Sequence, residues 1–320
     1  MKSYPLKESP KAYRYDGSFA GFLSCVFEAY RKKESPFAIF PEDAPASLFP
    51  EKWIETEREK ARRVYASLRK SISREAQEQV RLGFLSCSPE KELLLFRFIR
   101  AGLEEGPAVM NRLADPDVHG LLKAVRQVQN ESCQLLQFLR FSDSGGVLTA
   151  TVEPKNRVLS LMADHFCSRY SGERFLIWDK THREALFHSP EKWEILPLLS
   201  FTPPAPGREE AEYRRLWKRF YDTVAIESRY NPRCRRSHMP MRYWKHMTEF
   251  QPESGASPSC GGRKGPSPEA FTSLQGEPRL TDGEKLPIIK SSLPEPTESL
   301  PVPISPGEEH QHAEISRRDL

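Results

Sequence analysis

The stretch RFLIWDKTHREALFH, residues 174–188, decides the fold class, because it places two short apolar runs on either side of a polar turn. FLIWD and EALFH are rich in the large apolar residues that strands favour, and Lys180–Arg183 supplies the turn between them. The pattern predicts a β-hairpin.

A second hairpin is predicted upstream, where LLQFLRF (135–141) and VLTATVEP (147–154) flank the turn-rich Ser142–Gly146. Between the two hairpins, apolar residues recur at helical spacing over 158–169. Strands flanked by helices predict an α+β fold that is mainly helical, with a small antiparallel sheet of two hairpins.

Helices are predicted on both sides of this region. In the first half of the chain, apolar residues at three- and four-residue spacing predict helices over 19–33, 89–102 and 116–131, and over 52–80 either one amphipathic helix or two in series with a break near Ser71–Ser73. Short strands are expected at 13–15 and 37–40. A helix over 209–226 is expected to turn an apolar stripe inward: Tyr213, Leu216, Trp217, Phe220, Val224 and Ala225.

Charge and composition divide the chain. Residues 1–250 carry 41 Lys/Arg against 33 Asp/Glu, whereas 251–320 carry 7 against 11 and hold 11 of the 28 prolines. Such a tail buries too little apolar surface to fold. We expect a flexible N-terminus (1–11), one globular domain (12–250, with 208–250 as a candidate C-terminal lobe) and a disordered tail (251–320).

Several classes of protein are excluded by pattern. No apolar run approaches the about 18 residues of a membrane span, and the N-terminus lacks the apolar core of a signal peptide, so a cytoplasmic protein is expected. The six cysteines show no metal-binding or iron–sulfur spacing, so no metal site is predicted. Phosphate-loop, dinucleotide-binding, deaminase and hydrolase-elbow motifs are missing.

One segment points to a function. Between Glu212 and His246 there are ten Lys/Arg and seven aromatic residues against three acids. Cations bind phosphates and flat rings stack on bases, so this mixture is typical of a nucleic-acid interface. Within the part we call the Arg/aromatic segment (residues 229–245), the predicted nucleic-acid contacts are Arg229, Tyr230, Asn231, Arg233, Arg235, Arg236, His238, Arg242, Tyr243, Trp244 and Lys245.

No catalytic group is fixed by the sequence. His165, Asp179 and His238 are candidate acid/base residues, but no spacing brings them together. His165 also fits a core position beside Phe166, and Asp179 also fits a turn stabilised by an Asp–Arg pair with Arg183.

Five stretches resemble one bacterial family. They are YDGSFAGFLSCVFEAY, the FLRF…GG…TATVEP hairpin, ADHFCSRY, FLIWDKTHREALF and the ending LW…AIESRYNPRCRRSHMPMRYW. The ending is the specific one, with Arg229, Asn231 and Pro232 followed by His238-Met-Pro and then Arg242-Tyr-Trp. The family comprises DNA-metabolism or DNA-repair proteins with a domain of unknown function (DUF4130-like), and the resemblance covers residues 12–249.

The resemblance implies partners. Family members are associated with a radical S-adenosylmethionine protein, and some are joined to a uracil-DNA-glycosylase-like module, which this chain lacks. An iron–sulfur cluster and S-adenosylmethionine are therefore expected on the partner and no cofactor on this chain.

Three hypotheses follow. The first is a DNA-repair or DNA-processing protein that binds DNA through the Arg/aromatic segment and works with the radical enzyme. The second is a stand-alone enzyme that acts on DNA bases or the DNA backbone. The third is a protein–protein adaptor without DNA contact, since partner-docking surfaces also use arginine and aromatic residues.

Overall fold

The computed structural model describes residues 11–251, and the N-terminal ten residues and positions 252–320, with nearly all of the predicted flexible N-terminus and tail, lie outside the described residues. The strands are β1 Ala12–Tyr15, β2 Ala38–Pro41, β3 Glu51–Trp53, β4 Ser142–Asp143, β5 Leu148–Val152, β6 Phe175–Asp179, β7 Glu184–Ser189 and β8 Lys192–Pro197. The α-helices are α1 Phe19–Lys32, α2 Arg58–Ser67, α3 Arg74–Phe84, α4 Lys91–Glu105, α5 Pro116–Phe138, α6 Leu159–Arg169, α7 Arg208–Val224 and α8 Pro232–His238. Within this part of the chain no helix has the length and apolarity needed to cross a bilayer.

The N-terminal half is a helical layer on a small parallel sheet. β1 lies between β2 and β3 and pairs with both in parallel, so the sheet is formed by strands that are distant in sequence. Ser18 caps α1 by accepting from the Gly21 N–H at 2.9 Å. The first core cluster gathers buried side chains of β1 and of α1 to α5.

The predicted helix over 52–80 is corrected in part. Glu51–Trp53 is strand β3, whose pairing to β1 depends on residues nearly forty positions away, so a local periodicity does not reveal it. The predicted break is confirmed: one turn of π-helix, Leu68–Ile72, ends at Ser73, whose hydroxyl caps α3 by accepting from the Ala76 N–H at 3.0 Å.

The second sheet differs from the predicted pair of hairpins. Its strand order is β4-β5-β6-β7-β8, in which β5 and β6 are parallel neighbours joined through α6 and the other pairs are antiparallel. The β6–β7 hairpin is confirmed, and β8 extends it by a strand that the sequence analysis missed. α6 buries Leu159, Met162, Ala163 and Phe166 in the second core cluster.

The upstream hairpin is shorter than predicted. α5 continues to Phe138, so Leu135–Phe138 is helix and only Ser142–Asp143 pairs with β5. The helical spacing of Val128 and Leu135 was hidden because the intervening buried positions are polar, Glu131 and Ser132. The turn is shorter than the predicted Ser142–Gly146, because its first two residues form β4, and Gly145 and Gly146 within it are both at positive φ (70° and 85°).

The apolar stripe of α7 lies on the surface, which corrects the prediction that it faces inward. Tyr213, Leu216, Phe220 and Val224 are 57–70% exposed, and Trp217 is 41% exposed. α7 is attached instead through polar contacts: Arg214 donates to Ser142, Glu210 accepts from the Asp143 N–H at 3.3 Å, and Trp217 Nε1 donates to Glu249 at 3.1 Å. Periodicity reports that a helix has an apolar face, not that a partner within the chain covers it.

A buried carboxylate joins the two halves. Glu131 on α5 is 2% exposed and accepts from the backbone N–H groups of Lys155 (3.0 Å) and Asn156 (2.8 Å) and from Asn156 Nδ2 (2.6 Å). Its Oε1 also lies 3.2 Å from Arg242 Nη2. Asn156 in turn accepts from the Cys87 N–H at 2.9 Å. The network therefore connects the α3–α4 loop, α5, the β5–α6 loop and the C-terminal segment (residues 227–251).

We expect Glu131→Ala to lower the free energy of unfolding by about 3–5 kcal/mol, because it leaves buried donors and an arginine without their acceptor. Urea denaturation at pH 7 measures the change. Glu131→Gln keeps one acceptor oxygen and is expected to lose less. The matched control is Asn130→Ala, which truncates the exposed neighbour on the same helix. Equal stabilities of Glu131→Ala and Asn130→Ala would contradict the role of Glu131.

Candidate nucleic-acid interface

The Arg/aromatic segment is folded rather than a loop, which corrects the sequence interpretation. A 3-10 turn (Glu227–Arg229) leads into α8, and a 3-10 stretch (Met241–His246) and a final 3-10 turn (Thr248–Phe250) follow. Asn231 caps α8 by accepting from the Cys234 N–H at 3.0 Å, and Pro232 occupies the first helical position. The Asn-Pro pair is therefore a helix start, and the predicted DNA contact Asn231 has a structural task.

Arg235 and Trp244 hold the segment together. The Arg235 guanidinium lies 5.5 Å from the ring centroid of Tyr230, 4.9 Å from that of Trp244 and 5.6 Å from that of Phe250. Trp244 stacks on Phe250 at 4.4 Å and donates from Nε1 to the Met239 carbonyl at 3.0 Å. A guanidinium among three rings is stabilised by cation–π attraction, so both residues serve packing within the segment.

Arg242 and Tyr243 fix the segment to α5. Arg242 pairs with Glu131, and the Tyr243 hydroxyl donates to Gln134 Oε1 at 3.0 Å. Tyr243 is 5% exposed and packs on Phe138 with ring centroids 5.8 Å apart. Burial raises the pKa of the Tyr243 hydroxyl. A buried ring has no face to offer a base, so Tyr243 is a core residue.

Lys245 and His246 converge on Glu153, which follows β5. Lys245 Nζ donates to Glu153 Oε2, His246 Nε2 donates to Oε1 at 3.2 Å, and Lys180 Nζ lies 3.6 Å from Oε1. Burial favours the neutral acid, but these three partners outweigh it and hold the pKa of Glu153 below its ordinary value. Burial lowers the pKa of His246 despite the adjacent carboxylate. The charge of Lys245 is thus partly neutralised by Glu153 within the chain.

Three arginines remain for a ligand. Arg229, Arg233 and Arg236 are exposed, and among the described residues none of their side chains has a hydrogen bond, an ion pair or a ring contact. Tyr230 lies between the first two in sequence and is 64% exposed. These four residues, which we call the open arginine face, offer phosphate-binding charge and a stackable ring together.

The candidate acid/base residues are not brought together. His165 is exposed on α6 with its ring 5.1 Å from that of Phe166, so the prediction of a core histidine is wrong. His238 is exposed on α8, and its Nδ1 lies 2.9 Å from the Cys234 carbonyl oxygen. Asp179 ends β6. Among the described residues no hydrogen bond or ion pair joins any two of the three.

The β6–β7 turn uses a histidine where an arginine was considered. Asp179 is fully buried, and its Oδ1 accepts from the N–H groups of Thr181 (2.9 Å) and His182 (3.1 Å). Its Oδ2 lies 2.6 Å from His182 Nδ1, whereas Arg183 takes a left-handed conformation at φ 55°. The sequence analysis left out Glu184, which faces Asp179 across the hairpin. The spacing Asp-x-x-His-x-Glu around a turn was the signal.

Comparison with known proteins identifies the family. A model described as a domain of unknown function, DUF4130, matches residues 89–249, and the chain belongs to this family. No curated protein matches the sequence. Among solved structures, a pGpG-specific phosphodiesterase, PggH, from Vibrio cholerae matches at 10% identity over 56% of this chain and 81% of that chain. Its TM-score of 0.24 carries no argument for fold or function.

We expect the stability of the protein to fall between pH 7.5 and 5.5, in part through His246. Its pKa is lower in the folded protein, so below the ordinary histidine pKa of about 6.5 the unfolded chain binds a proton that the folded chain resists. This window lies above the ordinary range of carboxyl groups. Urea denaturation at both pH values measures the loss.

The variant His246→Gln keeps a donor for Glu153 but does not titrate, so its loss of stability on acidification is expected to be smaller than that of the unaltered protein. His165→Gln removes an exposed histidine and serves as the control. The same loss in His246→Gln as in the unaltered protein would remove His246 from this account.

Proposed function

We propose that this member of the DUF4130 family binds single-stranded DNA through the open arginine face. The observation that carries the proposal is that Arg229, Arg233 and Arg236 are exposed and have no partner within the described residues, beside the exposed ring of Tyr230. Each of the other arginines of the Arg/aromatic segment has a contact inside the chain. Arginines without a partner inside the chain can bind phosphates, and an exposed aromatic ring can stack on an unpaired base.

The positions of the three arginines support a strand-like ligand. Arg233 and Arg236 are three residues apart on α8, which places them on neighbouring positions of one helix face, and Arg229 precedes the Asn231 cap. The cap, the Arg235 ring contacts and the Arg242–Glu131 pair hold this backbone in place. A backbone that is already held in place loses less conformational entropy on binding, so binding costs less free energy. The excess of Lys/Arg over Asp/Glu in residues 1–250 adds long-range attraction for a polyanion.

DNA repair and the radical S-adenosylmethionine partner belong to the same proposal and derive from the family resemblance. The exposed α7 stripe, which includes Leu216 and Phe220, favours a protein partner in addition to DNA. A stand-alone enzyme is supported less well, because His165, Asp179 and His238 lie on separate elements.

Replacing Arg229, Arg233 and Arg236 together by glutamine is expected to weaken single-strand binding at least tenfold at low salt. Each phosphate contact on a single strand contributes about 0.7 to the slope of log affinity against log salt, so the slope is expected to fall by about 2. Fluorescence anisotropy of the full chain with a labelled oligonucleotide, titrated at several salt concentrations, measures both.

The matched control removes the same charge elsewhere in the chain by Arg58→Gln, Arg69→Gln and Arg74→Gln, three exposed positions of the N-terminal half. An equal loss in both triple variants would mean that net charge alone attracts DNA. No binding by the unaltered chain at low salt would overturn the proposal and favour a protein partner for this face.

Tyr230→Ala is expected to weaken single-strand binding about five- to hundredfold, since stacking on one base contributes about 1–3 kcal/mol. The salt dependence is expected to stay unchanged, because no charge is removed. Tyr230→Phe keeps the ring and is expected to bind like the unaltered chain. If Tyr230→Ala binds as tightly as Tyr230→Phe, the ring is not in the interface; duplex DNA in the same assay tests whether unstacked bases are required.

A further inference from the structure

The β6–β7 turn gathers three side chains of metal-ligand type. Asp179, His182 and Glu184 each place one ligand atom so that the three atoms lie within 4.8 Å of one another. Asp179 is fully buried, and the side chains of His182 and Glu184 are 15% and 19% exposed. Zn–N and Zn–O bonds of about 2.0–2.2 Å bring this set within reach of one ion after small side-chain rotations.

The charges of the cluster favour a cation. Asp179 and Glu184 are direct cross-strand partners in the β6–β7 register, and like charges in that position repel each other. Arg157 Nη1 lies 3.2 Å from Glu184 Oε2 and is 49% exposed, so it approaches the cluster from its outer side. A cation between the two carboxylates would relieve the repulsion directly.

The position in the sheet is a second, independent observation. β5 and β6 are parallel strands connected through α6, and Val152 is the register partner of Asp179, so both strands end at the same edge. Ligand sites of sheets with parallel strands lie outside the carboxyl ends of those strands. Asp179 is the last residue of β6, and His182 and Glu184 follow it around the turn.

We propose that Asp179, His182 and Glu184 bind one divalent transition-metal ion, with Zn²⁺ as the ion that their one imidazole and two carboxylates suit. An imidazole ligand favours zinc and its neighbours over Mg²⁺ and Ca²⁺, which take oxygen ligands. Asp179 Oδ1 is occupied by two backbone N–H groups, which leaves Oδ2 for the ion and fixes its direction. Three protein ligands leave a coordination position open to a small molecule or water. The proposal does not depend on DNA binding.

In the ion-free protein, a hydrogen bond between His182 Nδ1 and Asp179 Oδ2 takes the place of the ion. Zinc binding exchanges that contact for bonds from the ion to both side chains.

The test is calorimetric titration of the chelator-treated full chain with Zn²⁺, repeated with Co²⁺, whose visible absorption reports the coordination geometry. The expected result is one tight site that His182→Ala and Glu184→Gln each weaken at least tenfold. Glu184→Gln removes no buried turn contact, so it tests the site even if Asp179 and His182 variants lose the turn. His188→Gln, on the same hairpin, is the control and is expected to bind like the unaltered chain.

A second pair of variants tests whether zinc binds instead to other side chains of the protein. Cys234→Ser removes the Cys234–His238 contact on α8, and His310→Gln with His312→Gln removes the two histidines near the C-terminus. Loss of the tight site in either of these variants, with His182→Ala binding normally, would overturn the proposal. So would the absence of any zinc binding, which would leave the Asp179–His182 contact as a bond that only stabilises the turn.

Discussion

The buried carboxylate of Glu131 is the constraint on which the arrangement of the chain depends. A carboxylate that is 2% exposed must be fully satisfied, and here its oxygens take two backbone N–H groups, a side-chain amide and a guanidinium. These partners come from the β5–α6 loop and from the C-terminal segment, which are far apart in sequence. Through Asn156 and Cys87 the same network reaches the N-terminal helices. One side chain of α5 therefore holds the loop that leads into α6 and the C-terminal segment in place.

Internal contacts also divide the arginines of this region into those that have a partner within the chain and those that do not. Arg242 is held by Glu131, Arg140 donates to the buried Glu249 at 2.8 Å, and Arg235 lies among aromatic rings. Arg242 and Arg140 hold the C-terminal segment to the rest of the protein, Arg235 holds the segment together, and none of the three is available to a phosphate without loss of a structural contact. Composition treats all these residues alike, and it predicted eleven nucleic-acid contacts. Our proposal keeps Arg229, Arg233 and Arg236, whose side chains have no partner among the described residues, and Tyr230, whose ring is 64% exposed although Arg235 contacts it.

Local patterns predicted what is decided locally. The α1 stripe, the Ser71–Ser73 break and the 174–188 hairpin were predictable because their contacts lie within one helix or one turn. Two strands were missed: β3 has three residues and pairs with a strand nearly forty positions away, and β8 pairs with its neighbour β7 but carries Lys192 and Glu194 and ends at Pro197. The apolar stripe of α7 was wrongly predicted to face inward, because an amphipathic pattern shows which face of a helix is apolar but not what covers that face. For the candidate site, the sequence identified the Arg/aromatic segment but not which of its residues have partners inside the chain. The reason is that the acceptors Glu131 and Glu153 lie about a hundred positions away in the sequence.

A short chain of contacts links the proposed metal site to Lys245 and His246 near the C-terminal end of the described residues. Lys180 follows Asp179 and lies 3.6 Å from Glu153 Oε1, which also accepts from His246, while Lys245 bonds the other oxygen. A divalent ion beside Asp179 would act on this chain, but Lys180 and Lys245 are 58% and 51% exposed. Solvent-exposed charges are screened over about 8–10 Å at physiological salt, so the field of the ion decays along the chain of lysines. The charge of an ion beside Asp179 is thus screened before it reaches Lys245, and any strong coupling between ion binding and this part of the chain would have to pass through movement of the β6–β7 turn rather than through charge.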